Sequence, residues 1–281
     1  FEGNLLLVID SIKKKKFKQA ALKLKKLEKF KEDDSFKFIL YNSLKSYIDL
    51  FIYKKSDLVE QYGQFDTINI ALQNCYLNSD KAEMYFLNLI NFPKADSSRY
   101  IFFYLSNRVH NKDFSTVKNF ANNIDPINST LLISQVKNWV DEKNYDKLIK
   151  HFSCQSENDI LAELFYLVSS YYSSKNLFNY SNMYLNIANY LNPKFYFNLS
   201  LIAENYQFNK NYDLAKKTFE KFDDNDEIFF WYKTKRIARI IAEEESYDAS
   251  LNYILKNLEK FNNKSPKMIY DLANIYKNFK K

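Results

Sequence analysis

The chain has 281 residues, a formal net charge of +7, and only two glycines and four prolines. So few turn-forming residues disfavour an all-β or loop-rich fold, and no uncharged apolar run reaches the ~18 residues needed to cross a membrane. Residues 1–31 contain ten lysines and three acidic residues, while the rest of the chain is balanced in charge. A protein that follows a nucleic-acid backbone is expected to be basic along its whole groove, so this pattern argues against nucleic-acid binding.

The first 31 residues predict two helices. Apolar residues at helical spacing indicate a helix over 4–16, and Phe17 begins a second helix whose apolar positions continue to residue 30. The Lys-rich segment 13–31 carries lysines on the other face of this second helix, among them Lys18, Lys25 and Lys26. We interpret this face as a solvated helix surface, with contact to an anionic partner or a membrane surface as the alternative.

Residues 35–92 predict less regular elements. The apolar pattern indicates a long helix over 35–53, a short helix around Asp57, Leu58 and Val59, and a break at Gly63. A further hairpin is predicted over 65–77 and 81–91. Because the spacing between these elements does not repeat, we expect divergent, irregular hairpins over 1–92.

Beyond residue 98 the sequence repeats. Aromatic residues begin the predicted second helices at intervals of 31, 33, 34 and 35 residues: Phe114, Tyr145, Phe178, Tyr212 and Tyr247. Alanines at the matching first-helix position recur every 35 residues: Ala203, Ala238 and Ala273. A fixed period in this range indicates helical hairpins that bury their apolar faces against their neighbours.

This pattern, with Leu-Ala-Asn-Ile-Tyr at 272–276, resembles the tetratricopeptide repeat (TPR) family of bacterial scaffolds. The resemblance implies an all-α fold in which 1–281 is one right-handed α-solenoid of about eight stacked antiparallel helix hairpins, the last one incomplete. Repeats of 31–35 residues are expected over 98–281. Because the sequence stops where a second helix is due, we expect a piece of a longer chain, with Tyr270, Ala273 and Tyr276 partly uncovered.

The two cysteines, Cys75 and Cys154, fall in different predicted repeats. In a solenoid these repeats would lie far apart along the axis, whereas a disulfide needs Cα atoms within about 7 Å. We therefore expect two free, buried thiols.

The sequence predicts no catalytic, cofactor or metal site. The two histidines, His110 and His151, lie in different repeats without neighbouring ligands at metal-binding spacing, and glycines at only two positions leave no phosphate-binding loop. The acidic segment 223–226 is interpreted as a loop that caps a helix beginning near Glu227, with calcium binding as the alternative.

The resemblance implies a concave groove lined by the first helices of the hairpins. The expected groove residues near the C-terminus are Phe197, Glu204, Gln207, Tyr232, Lys235, Arg239, Tyr270, Asn274 and Lys277. Earlier first helices are expected to contribute Arg99, Phe102, Ser106, Lys137 and Tyr166. Tyrosine and arginine are favoured anchors at protein interfaces.

Lys235 and Arg239, one helical turn apart, resemble part of the carboxylate clamp by which some TPR domains hold a peptide's C-terminus. The preceding repeat departs from that clamp, because Ser200 and Glu204 stand where it needs basic and amide groups. A general protein or peptide groove is therefore the leading interpretation of these residues.

Together these patterns predict a non-enzymatic scaffold that binds a protein or an extended peptide in its groove. One alternative is a helical-repeat RNA-binding protein, and another is a docking or regulatory arm of a larger protein. The resemblance favours the bacterial periplasm or envelope over the cytoplasm.

Overall fold

The computed structural model describes residues 1–30, 35–92, 96–261 and 263–279. Within these residues the chain is all-helical, with sixteen α-helices, one 3₁₀ helix (Lys25–Phe30) and no strand. The α-helices are α1 (Glu2–Lys13), α2 (Phe17–Leu24), α3 (Ser35–Tyr53), α4 (Gln64–Tyr76), α5 (Ala82–Ile90), α6 (Ser98–His110), α7 (Phe114–Asn122), α8 (Leu131–Asp141), α9 (Asp146–His151), α10 (Glu157–Ser174), α11 (Phe178–Leu191), α12 (Asn198–Phe208), α13 (Tyr212–Phe219), α14 (Glu227–Glu244), α15 (Tyr247–Leu258) and α16 (Pro266–Phe279).

The helix limits follow the sequence pattern closely at most positions. Helix α3 covers the predicted 35–53, and α2 begins at the predicted Phe17. The short helix expected around Asp57 is wrong, since residues 55–60 have no regular secondary structure and Val59 is 67% exposed. Three consecutive residues in a charged segment offer too little apolar surface to hold a helix against a core. Gly63, with φ +60°, precedes α4 as its N-cap.

Five of the turns that follow first helices share one backbone conformation. After α1, α4, α8, α10 and α12, a residue with φ between +51° and +59° is followed by one whose N–H donates to the carbonyl five residues back. This is the Schellman arrangement, which satisfies carbonyls left free at a helix end. The residues with positive φ in these five turns are Lys15, Asn78, Lys143, Asn176 and Lys210. Lysine and asparagine therefore occupy a position that usually takes glycine.

The predicted aromatic ladder marks the starts of the second helices. Phe114, Phe178, Tyr212 and Tyr247 are the first residues of α7, α11, α13 and α15, while Tyr145 directly precedes α9. Polar N-caps come one residue before three of these aromatics. Their side chains accept a hydrogen bond from a backbone N–H of the first turn; these N-caps are Asp113, Asn211 and Ser246.

The described residues form two compact units, each built from two segments of the chain. Unit 1 consists of Phe1–Lys112 and Asp146–Phe195, and unit 2 consists of Asp113–Tyr145 and Tyr196–Lys281.

In unit 1, the consecutive helices α1 and α2, α4 and α5, and α10 and α11 pack as pairs. Helix α10 also packs against α1, α3 and α4, and α6 packs against α5 and α9. Several of these partners are distant in sequence. Stacking of consecutive hairpins alone does not predict such contacts.

The packing of α10 against α4 brings the two cysteines together. Cys75 in α4 and Cys154 just before α10 form a disulfide, with Cα atoms 5.6 Å apart and a sequence separation of 79. The prediction of free thiols is therefore wrong, although both cysteines are buried as expected. It failed because it assumed that distant repeats lie far apart along a single axis.

In unit 2, α12 to α15 pack in sequence order, and α8 packs against both α7 and α14. The small first-helix residues Ala203 and Ala238 are fully buried, and Ser250 Oγ of α15 donates to the carbonyl of Ala238 at 2.7 Å. On α16, Tyr270 and Tyr276 are 46% and 37% exposed. Ala273, between them on the helix, is exposed too. The expectation that this part of α16 lies partly uncovered is confirmed.

Candidate functional site

The predicted C-terminal groove residues lie on α12, α14 and α16 of unit 2, and polar side chains connect these three helices. Arg236 Nη2 of α14 donates to Glu204 Oε1 of α12 at 2.7 Å, and this pair is partly buried. Gln207 Nε2 of α12 donates to Glu243 Oε1 of α14 at 3.1 Å. Two predicted groove residues, Glu204 and Gln207, therefore hold α12 against α14.

The next connection joins α14 to α16 through Asp271. Trp231 Nε1 donates to Asp271 Oδ2 at 2.9 Å, and Lys235 forms an ion pair with the same carboxylate. The Lys235 ammonium also lies 5.7 Å from the centre of the Trp231 ring. Because the charge of Lys235 is compensated inside unit 2, its part in a carboxylate clamp is not supported by this geometry.

Two of the predicted aromatic groove residues pack inward. Phe197 is buried and its ring centroid lies 5.5 Å from that of Phe229. Tyr232 packs against Phe219 and Phe222, at centroid distances of 6.1 and 5.5 Å. Burial raises the pKa of Tyr232 to about 12, so its hydroxyl stays neutral at physiological pH. Both rings support the helices that carry the exposed residues.

The remaining predicted groove residues are open to solvent. The Arg239 side chain is 64% exposed, with Glu243 one turn away at 3.4 Å. Tyr270 and Lys277 are exposed, and Asn274 lies half-buried between them on one face of α16. This open face, which combines Arg239 of α14 with Tyr270, Asn274 and Lys277 of α16, is called the C-terminal face below.

The groove residues expected from α6 and α10 are engaged inside unit 1. Phe102 and Ser106 are buried. The Arg99 guanidinium lies 3.4 Å from the centre of the Tyr166 ring and pairs with Glu163, whose carboxylate is almost fully buried. Burial raises the pKa of Glu163, and the nearby Arg99 opposes that rise.

The acidic loop before α14 caps that helix. Asp226 Oδ1 accepts hydrogen bonds from the backbone N–H groups of Ile228 and Phe229, both at 3.1 Å. Its Oδ2 accepts one from Gln135 Nε2 at 2.6 Å. The predicted cap is confirmed, and protein donors already use both carboxylate oxygens, so the calcium alternative gains no support.

Metal-binding groups and membrane-spanning helices are both absent from the described part of the chain. No group of three or more histidine, cysteine, aspartate or glutamate side chains is arranged to hold a metal ion there. None of the described helices combines the length and apolar character that crossing a bilayer requires.

The sequence reasoning missed the residues that join the helices, namely Trp231, Arg236, Glu243 and Asp271. A signal was present, because the partners of two of these contacts, Gln207 with Glu243 and Lys235 with Asp271, are 36 residues apart. That separation is close to the length of one repeat. Pairs of residues one repeat apart that are opposite in charge, or that can form a hydrogen bond, could therefore have indicated contacts between successive first helices.

Comparison of the chain with protein-family models, with curated proteins and with solved structures finds no match. The resemblance to the TPR family therefore rests on the internal repeat and on Leu-Ala-Asn-Ile-Tyr at 272–276.

Proposed function

We propose that this chain is a non-enzymatic protein-interaction scaffold that binds a protein or an extended peptide at the C-terminal face of unit 2. The observation that carries this proposal is the exposure of Arg239, Tyr270 and Lys277 on helices fixed in place by the Asp271 contacts. A rigid frame lowers the entropy lost on binding, and exposed tyrosine and arginine are typical interface anchors.

The charge of the C-terminal face favours an acidic partner segment. Arg239 and Lys277 are both exposed cations, and Glu243, the ion-pair partner of Arg239, also accepts a hydrogen bond from Gln207. A segment with acidic side chains or a free carboxyl end could pair with both cations while an apolar side chain packs on the Tyr270 ring.

We also infer that α12 to α16 stack as TPR-like repeats within unit 2. This inference is supported by the consecutive packing of α12 to α15 and by polar contacts between successive first helices.

An oxidising compartment, such as the bacterial envelope, is the proposed location. The supporting observation is the buried Cys75–Cys154 disulfide of unit 1, since structural disulfides persist mainly where the surroundings are oxidising.

The binding proposal can be tested with an array of synthetic extended peptides that differ in acidic content. We expect acidic peptides to bind, and the Arg239→Glu/Tyr270→Ala variant to bind them at least ~30-fold more weakly, which corresponds to a hot-spot loss of about 2 kcal/mol. Fluorescence anisotropy with labelled peptides measures this change.

The matched control is Lys118→Glu/Tyr53→Ala, which reverses one exposed cation and truncates one exposed tyrosine elsewhere. It should bind the peptides as the unchanged protein does. Equal losses in both variants, or peptide binding that is insensitive to acidic content, would contradict the proposal. Steeply salt-dependent binding of single-stranded RNA in place of peptides would favour the helical-repeat RNA-binding alternative.

A further inference from the structure

The second helix of unit 1 and the 3₁₀ helix that continues it present an exposed basic surface with a leucine at its centre. Lys18, Leu22, Lys25 and Lys26 are all exposed, and Leu22 retains 65% of its surface in water. Lys18 precedes Leu22 by four residues, so the two lie one above the other on α2, and Lys25 and Lys26 follow on the next turn. We call these four residues the α2 face.

The opposite side of the same segment is fixed to the core of unit 1. Ala20, Leu24 and Leu27 are buried, and Phe17 packs against Phe51 at a centroid distance of 5.2 Å. The α2 face therefore projects from a folded surface and does not depend on a helix that must form on binding.

Several neighbouring lysines already have partners inside unit 1. Lys14 pairs with Asp10 at 2.8 Å, Lys15 pairs with Glu157 at 3.3 Å, and Lys23 Nζ donates to Ser11 Oγ at 2.8 Å. These contacts compensate or anchor the lysines that face the rest of the unit.

The lysines of the α2 face differ from these neighbours. Among the residues that the structure describes, no ion pair or side-chain hydrogen bond is found for Lys18, Lys25 or Lys26. The next acidic residues after Glu28, at 32–34, follow this helical segment in sequence. Three lysine charges are thus available to an external anion.

A leucine set among exposed lysines fits a lipid bilayer better than it fits a nucleic acid. At a bilayer surface, lysine ammonium groups reach anionic headgroups while a leucine side chain enters the apolar region beneath them. RNA is usually recognised through arginine and exposed aromatic rings. Residues 1–31 contain no arginine, and Phe17 is half-buried. Leu6 and Leu7 of α1 are also half exposed, which adds apolar surface to the same unit.

We propose that unit 1 binds the surface of an anionic lipid bilayer through the α2 face, with Lys18, Lys25 and Lys26 contacting headgroups and Leu22 entering the interface. This surface activity is separate from peptide binding at the C-terminal face of unit 2, and neither activity requires the other.

Co-sedimentation with lipid vesicles tests the proposal. The full chain should bind vesicles of phosphatidylcholine mixed with phosphatidylglycerol at about 0.1 M salt, and lose most of this binding at about 0.5 M salt, where the Debye length is shorter. It should not bind pure phosphatidylcholine vesicles. Changing Lys18, Lys25 and Lys26 together to glutamate should weaken partitioning by at least ~100-fold. Leu22→Ser should weaken it about tenfold.

The matched control changes three exposed lysines of other segments, Lys118, Lys150 and Lys256, to glutamate. It alters the net charge equally, so it separates a localised surface from general attraction of a basic protein. A triple change of Lys18, Lys25 and Lys26 to glutamine keeps the measurement informative if the glutamate variant fails to fold. Equal losses in the α2-face and control variants would overturn the proposal. Equal binding to neutral and anionic vesicles, no vesicle binding, or displacement from vesicles by an equimolar RNA oligonucleotide would do the same.

Discussion

Units 1 and 2 are both all-helical, and each is assembled from two chain segments, yet their helices are joined in different ways. In unit 1 a disulfide joins Cys75 to Cys154, 79 positions apart in sequence, and a buried ion pair joins Arg99 to Glu163, 64 positions apart. In unit 2 the polar contacts among α12, α14 and α16 span 32 to 40 residues, which is about one repeat.

This difference bears on why the sequence repeat is legible over α12 to α16 and faint over residues 1–92. Where each helix is held mainly by the next repeat, the same contact recurs at the repeat period and leaves a periodic pattern. Where single long-range bonds hold the helices, each bond constrains only its own two positions. The irregular residues 1–92 of unit 1 are joined to the repeating part of the same unit by a specific bond, the Cys75–Cys154 disulfide.

Among the changes predicted here, removal of the disulfide should change the stability of the protein most. Replacing Cys75 and Cys154 with alanine should lower the free energy of unfolding of unit 1 by about 4.5 kcal/mol, because a loop closed over this separation restricts the unfolded chain. Urea denaturation followed by circular dichroism measures the shift. Reductant should destabilise the unchanged protein and leave the alanine variant unaffected. A reductant-insensitive unchanged protein would show that the disulfide does not hold unit 1 together.

The buried ion pair of unit 1 should matter far more than an exposed pair of unit 2. Arg99→Met leaves the Glu163 carboxylate buried without its partner. This change should lower the free energy of unfolding by about 3 to 4 kcal/mol. Arg239→Met removes the exposed pair with Glu243. It should change the free energy of unfolding by no more than about 0.5 kcal/mol. The double variant Arg99→Met/Glu163→Leu should recover most of the loss. Similar losses for Arg99→Met and Arg239→Met would contradict the comparison.

The stability of the Arg99→Met variant should depend on pH differently from that of the unchanged protein. Burial already raises the pKa of Glu163 in the folded protein, and removing Arg99 takes away the charge that opposes this rise. A folded-state pKa above the unfolded value means that the folded protein binds more protons. Stability is therefore lost as pH rises above the ordinary glutamate pKa of about 4.3. Relative to the unchanged protein, Arg99→Met should be less impaired at acidic pH than at neutral pH.

Glycine in the left-handed turns should give a small gain in stability, and a similar one in both units. Lys112→Gly in unit 1 and Lys210→Gly in unit 2 remove a side chain from a left-handed backbone position and should each raise the free energy of unfolding by about 1 kcal/mol. Alanine at either position keeps the unfavourable conformation and should give no such gain. The shift in the urea midpoint distinguishes the two replacements. A destabilising glycine at Lys210 would indicate that its side chain makes a compensating contact.

Much of the helical framework could be predicted from the sequence. Phe17, Phe114, Phe178, Tyr212 and Tyr247 begin helices as the aromatic ladder indicates. These positions are local signals, because a polar N-cap, a turn and an apolar face all act within a few residues.

The disulfide and the buried Arg99–Glu163 pair could not be predicted in the same way. Each joins α10, or the residue just before it, to a helix much earlier in the chain, α4 for the disulfide and α6 for the ion pair, and a single sequence carries no local mark of such a contact. The assumption of one continuous stack separated Cys75 from Cys154 and assigned Arg99 to an open groove.

The candidate site was predicted only in part. Arg239, Tyr270 and Lys277 are exposed as a groove requires, but Phe197 is buried and Lys235 pairs with Asp271. Helical periodicity gives the face of a residue to within about a quarter turn. It does not tell whether a partner of opposite charge comes from the next helix.

The Schellman turns have a consequence for how this sequence can evolve. Five of them use lysine or asparagine where glycine is the usual residue. Glycine codons begin with two guanines, whereas lysine and asparagine codons begin with two adenines. A gene drifting towards A·T-rich composition can therefore lose these glycines while the protein keeps the turns, at about 1 kcal/mol each. A lysine there also places a positive charge near the negative end of the preceding helix, which offsets part of that cost.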